Sequence, residues 1–330
     1  RSWGVPLTVL TCEECGQILR DSAVCTRIEE MFAKEGADAW FRHEAEAFAG
    51  PAATCAGCGS HRFRKETDIL DVWFDSGVSY AAVCEERPEL SSPADLYLEG
   101  SDQHRGWFQS SLLCSVGTRG TAPYSGVLTH GYVVDGQGKK MSKSVGNVVA
   151  PQEVIDKYGA EILRLWVASE DYRDDVKVSD EILRHVSDAY RKMRNTVRFM
   201  LSNLYDFAPQ RDSVSLSALT ELDRWALAEF ARLVNRVVDA YLKYEFHTVY
   251  HSLHNFCVTT MSSLYLDIIK DRLYASAPAA EGRRAAQTVV CRILDGLLRL
   301  MAPILSFTAA VAGEHLHAEG EEMSVGRSVF

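Results

Sequence analysis

The sequence predicts a mixed fold, a parallel α/β sheet that carries a metal knuckle and is followed by an all-α bundle. Three observations support it. Two Cys-x-x-Cys pairs, Cys12/Cys15 and Cys55/Cys58, stand about 40 residues apart. Between residues 67 and 150 short apolar runs alternate with Gly-containing loops and one helical pattern, the strand, loop, helix, strand rhythm of a parallel sheet. From Pro151, Pro at a first helical position, apolar residues recur every three or four positions, as on the buried stripe of a helix.

The first region, residues 1–66, is read as the metal-bearing segment with an adjoining piece of the α/β core. A two-residue spacer lets two thiolates grip one ion, and Gly16 and Gly59 ease the turn after each pair. Four thiolates close a tetrahedron with no open position, so the site predicted at Cys12, Cys15, Cys55 and Cys58 is a structural zinc site. The intervening loop exceeds the usual zinc-ribbon spacer, which places a helix inside it, roughly Val24 to Lys34. His61 is read as solvent-facing beside a complete ligand set. The other five cysteines, in settings such as Leu112-Leu113-Cys114, are read as small core residues of a reducing compartment, the cytoplasm.

The second region, residues 67–178, holds the α/β pattern. Asp95 to Glu99 reads as a strand leading into Gly100-Ser101-Asp102, then a helix from Gln103 to Ser115. Gly126 to Val134 is mixed, bounded by Pro123 and Gly136. The third region, residues 179–330, reads as helices over 179–206, 219–243, 246–274 and 281–317, with breaks at Pro209, Pro278 and Pro303. One predicted stripe is Leu227, Phe230, Ala231, Val234, Val237 and Val238.

The formal charge of −10 does not advertise a nucleic-acid binder. It is unevenly placed. Residues 179–330 hold 17 Lys and Arg against 18 Asp and Glu, so the acidic excess lies in the first two regions and the helical region is free to carry basic patches. No apolar run approaches the roughly 18 residues of a membrane-spanning helix. The first residues, Arg1-Ser2-Trp3-Gly4, have neither initiator Met nor signal-peptide pattern and suggest a piece of a longer chain.

Between Gly136 and Asn147 lies a Gly-rich loop with three lysines and two hydroxyls. Glycines let a backbone approach phosphate, and Lys140 and Lys143 can meet negative charge on one face of a turn. Charge aimed at a departing pyrophosphate stabilises the transition state more than the ground state. Read without its letters, such a loop is more often a solvated turn.

The letters Lys140-Met141-Ser142-Lys143-Ser144, followed by Val-Gly-Asn, resemble the signature loop of class I aminoacyl-tRNA synthetases. Upstream stand Asp71-Val-Trp-Phe-Asp-Ser-Gly77, Tyr97-Leu-Glu-Gly-Ser-Asp-Gln-His-Arg-Gly-Trp-Phe108 and Thr129-His-Gly-Tyr132. Downstream come Tyr244-Glu-Phe-His247, His254-Asn-Phe-Cys257 and Tyr265 to Tyr274. In that order they resemble isoleucyl-tRNA synthetases almost end to end, and the valyl and leucyl relatives differ at the Asp71 and Glu99 segments. The resemblance implies the C-terminal half of a Rossmann-like catalytic sheet with a zinc-bearing insertion, then a helical anticodon-binding domain.

It also implies roles. Glu99, Gly100, Asp102 and Gln103 would lie beside the aminoacyl-adenylate, at the carboxyl end of a strand, where open α/β sheets bind ligands. Trp107 would pack against the amino-acid pocket or serve the core. His130 and Gly131 would face the adenosine, and Lys143, with Lys140 second, would hold ATP phosphates. The parent reaction would join isoleucine to tRNA(Ile) through an adenylate, using ATP with Mg2+, in a cytoplasmic monomer. The His-x-Gly-His-type loop and the editing domain of the family have no counterpart here, so this piece alone is expected to have negligible activity. On the helix after Ser179, Arg191, Arg194 and Arg198 share a face with Lys192 adjacent, a stripe that would follow tRNA phosphates. A valyl- or leucyl-type enzyme and a zinc-stabilised, non-catalytic tRNA-binding module are the alternatives.

Overall fold

The computed structural model describes residues 4–316, which fall into two compact units that part between Thr129 and His130. In the first unit, β1 (Leu10–Cys12) pairs antiparallel with β2 (Phe63–Lys65), Cys12 opposite Phe63. Between them lie α1 (Ser22–Glu35), α2 (Ala39–Arg42) and α3 (Ala45–Ala49). Asp21 caps α1, its carboxylate accepting from the Ala23 N–H at 2.8 Å. Leu10, Val24, Ile28, Trp40, Phe48 and Phe63 form a small core of their own, with the Trp40 and Phe48 rings 4.7 Å apart. The buried Trp40 indole satisfies its N–H on the Glu66 carbonyl at 2.8 Å.

The unit continues with α4 (Val72–Gly77), a π-helical turn at Tyr80–Glu85, β3 (Tyr97–Gly100), α5 (Trp107–Arg119) and β4 (Val127–His130), which lies beside β3. Gly77 is where α4 and α5 touch, since a Cβ there would stand 2.7 Å from the Ser110 Cβ. The helix expected from Gln103 begins later. Ser101–Arg105 is a 3-10 turn, and α5 starts at Trp107 and runs past Ser115 to Arg119.

In the second unit β5 (Val133–Asp135) pairs in parallel with β6 (Val176–Val178), Val133 opposite Val176. The crossover between them holds α6 (Pro151–Tyr158), with Pro at its start, and α7 (Ala160–Ser169). The bundle follows, α8 (Asp180–Ser202), α9 (Pro209–Asp212), α10 (Glu221–Leu242), α11 (Phe246–Asn255), a π-helical stretch Phe256–Tyr265, then α12 (Leu266–Ile268), α13 (Lys270–Tyr274), α14 (Glu281–Met301) and α15 (Ser306–Leu316). The stretch read as helical over 281–317 forms α14 and α15, with the expected break at Pro303. Val289, Val290, Ile293, Leu294, Leu297 and Leu298 of α14 are wholly buried, so this helix is the axis of the core. None of the described helices is long and apolar enough to cross a membrane.

Two sequence expectations need correction. The α10 stripe is partly rotated: of its predicted members Val237 is buried and Leu227, Phe230 and Val234 pack half-buried on the core, whereas Ala231 and Val238 face solvent and Ala226, Leu233 and Ala240 are buried instead. Buried Asp223 heads the same row. Among the scattered cysteines only Cys257 is buried; Cys25 is exposed and Cys84, Cys114 and Cys291 are half-buried.

Asp223 is fully buried at the start of α10 and is satisfied on every side. Arg272 grips it with two bonds of 2.9 and 2.8 Å, the Tyr265 hydroxyl donates at 2.8 Å, and Thr220 adds its hydroxyl and N–H. Burial would raise this carboxyl, yet the Arg272 fork, with Tyr265 and Thr220, holds it below the ordinary value. Breaking a buried pair leaves an uncompensated charge, so Asp223→Asn is expected to cost about 3–5 kcal/mol in denaturant unfolding. Because the folded pKa is depressed, the pair's contribution is present above the unfolded value of about 4 and disappears as pH falls through the folded one. The variant should therefore lose less stability than the parent on acidification below about pH 4.

Candidate functional site

The cysteine site forms where β1 and β2 meet. Cys12 closes β1, Cys15 and Gly16 turn after it, and Cys55 to Gly59 form the second knuckle before β2. Each turn is closed by a glycine in the left-handed region, with φ of 74° at both Gly16 and Gly59. The four sulfurs lie within 4.8 Å of one another, Cys12 to Cys58 at 3.6 Å and Cys15 to Cys55 at 3.5 Å. Sulfurs 2.3 Å from a tetrahedral zinc would sit about 3.8 Å apart, so the group can hold such an ion. The thiolates also oppose one another. The Cys15 N–H draws Cys12 down to about 6, while Cys58, despite a lowering bond from the Ser60 N–H, is pushed up to about 12 by Cys12 and the other thiols. A cation at the centre would relieve that conflict. The site contains α1 to α3 in its loop, and His61 is exposed, its Nδ1 2.8 Å from the Ala53 carbonyl.

At the end of β3, Glu99 and Asp102 are exposed, Gly100 is buried and Gln103 is half-buried. Gln103 is partly committed. Its Oε1 accepts from the Trp107 N–H at 3.0 Å, capping α5, and its Nε2 reaches Asp102 Oδ2 at 3.3 Å. Trp107 has a structural post, stacked on Tyr97 at 4.3 Å with its indole N–H on the Ser76 carbonyl at 2.9 Å. Exposed Trp73 lies against Gly106, where a Cβ would meet its ring at 3.1 Å.

In the second unit His130 is half-buried, its Nδ1 2.8 Å from the Gly131 carbonyl. Gly131 has to be glycine, because a Cβ would lie 2.3 Å from the Asp174 carbonyl oxygen.

The lysine loop is an organised hairpin. Asp135, the last residue of β5, accepts from the N–H groups of Gln137 and Lys139, both at 2.9 Å, and from the Asn147 amide at 2.8 Å. Asn147 in turn accepts from the Ser142 N–H at 2.9 Å and donates to the Lys140 carbonyl at 3.3 Å. These bonds, led by that from Asn147, hold the Asp135 carboxyl below its usual value. Met141 points the other way, packing on the main core of the unit. Backbone and Met141 are thereby fixed while Lys140, Lys143 and Ser144 stay exposed, and Ser142 touches Ser144 at 3.2 Å. Lys140 rests over the Tyr132 ring at 5.9 Å. The Lys143 ammonium has no bonded partner among the described residues. Sequence reasoning missed the part played by Asp135, whose signal was an acid twelve residues before an Asn across a Gly-rich turn.

On α8, Arg191 pairs with Asp188 at 3.3 Å, whereas Arg194 and Arg198 line a separate groove of about 410 Å3 with Tyr190 and Phe307. The expected stripe of three is a pair of uncommitted arginines and a neighbour already neutralised.

Solved structures with the same fold include a LeuRS–tRNA–LeuAMS ternary complex from Agrobacterium radiobacter K84, 18% identical, with a TM-score of 0.68 over 96% of this chain and 40% of that one. Mycobacterium tuberculosis methionyl-tRNA synthetase bound to methionyl-adenylate matches at 20% identity and a TM-score of 0.57, over 74% of this chain and 49% of its own. Isoleucine–tRNA ligase of Desulfotalea psychrophila is 64% identical over all of this chain and 35% of its own length, and that of Syntrophotalea carbinolica 62% over 94% and 33%. The chain spans about a third of the length of these curated relatives. Residues 223–327 match the anticodon-binding domain of tRNA ligases. Residues 1–179, more than half of the sequence, match the profile of class I tRNA synthetases for I, L, M and V, and the chain belongs to that family.

Proposed function

We propose that the chain serves within an isoleucine–tRNA ligase, supplying the phosphate-binding lysine loop, part of the adenylate site, a structural zinc knuckle and a tRNA-binding bundle. The observation that carries this is the loop itself, whose backbone is tied down by Asp135 and Asn147 while Lys140 and Lys143 project freely. In the reaction, the isoleucine carboxylate attacks the α-phosphorus of ATP, pyrophosphate leaves, and a tRNA ribose hydroxyl then takes the acyl group from AMP. Lys143, with Lys140, would neutralise the charge that gathers on the departing pyrophosphate, in company with the Mg2+ that ATP brings. Glu99 and Asp102 offer acceptors for a substrate ammonium or ribose hydroxyls, Gly100 and Gln103 shape the same strand end, and His130-Gly131 would lie against adenosine. Trp107, stacked on Tyr97, would back the amino-acid pocket.

Cys12, Cys15, Cys55 and Cys58 would hold Zn2+, which supplies cross-linking and no open coordination position. Arg194 and Arg198 would meet tRNA phosphates, with Arg191 a lesser contributor.

The test is amino-acid-dependent ATP–pyrophosphate exchange by the whole ligase containing this chain. Isoleucine should support it with a kcat/KM about 100-fold above valine, inside the roughly 10- to 200-fold range that one methylene yields. Exchange driven equally well by valine or leucine would overturn the isoleucine reading and leave the family standing.

A further inference from the structure

In the second unit, His130-Gly131-Tyr132 and the motif Tyr244-Glu-Phe-His247 lie far apart in sequence and are joined through one tyrosine. The turn after α10 is closed twice. The Tyr244 N–H donates to the Tyr241 carbonyl at 3.0 Å, and the Glu245 N–H reaches back to the Ala240 carbonyl at 2.8 Å. This is the Schellman closure, which needs a left-handed residue just past the helix, a post that glycine fills best. Here Tyr244 fills it, with φ of 57°, the only residue other than glycine at positive φ among the described residues. A bulky side chain in that region is strained, and such strain persists where the surroundings fix it.

The surroundings are aromatic. The Phe246 ring stands 6.4 Å from that of Tyr244, 6.3 Å from Tyr241 and 6.2 Å from Tyr172. The Tyr172 hydroxyl donates to the Tyr244 carbonyl at 2.8 Å. Tyr172 belongs to the segment that precedes β6, and that segment also grips the first motif. Its carbonyl accepts from the Gly131 N–H at 2.8 Å, and the Asp175 carboxylate accepts from the Tyr132 N–H at 2.8 Å. The contact is close, since a Cβ on Gly131 would meet the Asp174 carbonyl oxygen at 2.3 Å. Arg173 stiffens the segment by clasping Asp171 at 2.7 and 2.5 Å. The Gly131 carbonyl in turn lies 2.8 Å from His130 Nδ1. Three short hydrogen bonds thus run in series from the Tyr244 carbonyl, through Tyr172 and Gly131, to the His130 ring.

We propose that Tyr172 and Tyr244 are positioning residues for the adenosine end of the adenylate site, setting where Gly131 and the His130 ring stand, so that a motif of the helical region serves ATP. This rests on the reading of His130-Gly131 as facing adenosine. The strained tyrosine then has a reason. Its ring, held on Phe246, steadies the carbonyl that Tyr172 grasps, and glycine would not.

The test uses the whole ligase containing this chain, with pyrophosphate exchange measured at varied ATP and isoleucine, aminoacylation at varied tRNA(Ile), and thermal unfolding of each variant. Tyr172→Phe removes only the hydroxyl, and Tyr244→Gly removes the ring together with the strain. Each should raise the KM for ATP about 2- to 10-fold, the span that one hydrogen bond covers, with the KM values for isoleucine and tRNA unchanged. His130→Ala should raise the same KM. Tyr244→Gly should melt no lower than the parent, because glycine suits its post, whereas a merely structural role predicts that it leaves the KM for ATP alone. If His130→Ala raises that KM and Tyr172→Phe does not, the bracing is overturned and the adenosine role stands. If His130→Ala has no effect, the adenosine role falls and the proposal with it. Changes confined to the KM for tRNA would place the corner in RNA binding and overturn the proposal as well.

Discussion

Chelating the Zn2+ proposed at Cys12, Cys15, Cys55 and Cys58 is expected to unfold residues 10–65 while the helical bundle stays folded. Each region has its own core. That around the knuckle comprises eleven buried residues, from Leu10 to Phe63, and its two strands are three residues each. The bundle core draws on residues from Val154 onward. A structural zinc site contributes an apparent 10–16 kcal/mol, roughly what stabilises a whole domain, and a core this small cannot replace it. Within the knuckle, Cys12 and Cys55 are buried, so the ion would tie together residues of the small core itself. Hydrogen exchange before and after chelation provides the measurement. Peptides containing Cys12, Trp40 and Phe48 should lose protection, while those of α10 and α14 keep it. Cys55→Ser should reproduce the pattern without chelator. Full protection around Trp40 after metal analysis shows zinc gone would mean that packing alone holds the fold, and the knuckle would then lack its structural role.

How far the sequence could be read depended on whether a feature was local and periodic. The long helices announce themselves because burial repeats with their own turn: Leu183, Val186, Met193, Val197 and Met200 on α8 show it plainly. Strand β6 does not. Three residues, Val176-Lys-Val178, form no alternation long enough to stand out, and their partner, β5, lies more than forty residues earlier. The α10 stripe was misphased because its buried row begins with a charged residue. Asp223 is inside only because Arg272, Tyr265 and Thr220 come together around it, a fact of tertiary structure. The π-helical stretch at Phe256–Tyr265 was likewise hidden, since its apolar content reads the same as that of an α-helix. Among functional residues, the four cysteines were legible from spacing, and the lysine loop from its letters. What could not be seen is the scaffold behind that loop. Hydrogen bonds from Asn147 to Asp135 and Lys140 join positions with no periodic relation, and an acid and an Asn flanking a Gly-rich turn are too common a pair to single them out.

Replacing Lys143 with Ala in the whole ligase is expected to lower kcat for adenylate formation by about 10^2 to 10^3, the loss typical of removing one preorganised group that meets developing transition-state charge. The structure says why this lysine rather than its neighbour should matter most. Lys140 sits over Tyr132, and an exposed cation–π contact of about 0.5–1 kcal/mol would be given up when it turned towards phosphate. Lys143 is exposed and gives up nothing comparable. Its backbone is already placed, because Ser142 and Gly146 on either side are tied to Asn147 and to the turn carbonyls of Ser142 and Lys143. Preorganisation of this kind costs no rearrangement during the reaction, which is the condition for charge to act on the transition state. The KM for isoleucine should change little, since no pyrophosphate charge exists when the amino acid binds. Acyl transfer from preformed adenylate to tRNA should be almost unaffected, because pyrophosphate has left before that step. Lys143→Arg keeps the charge but spreads it over a planar fork, and should recover part of the exchange rate. Pyrophosphate exchange and single-turnover transfer, measured on the same preparations, separate the two steps. An alanine variant that loses both equally would place Lys143 in tRNA or amino-acid binding, and one that loses neither would remove it from the reaction.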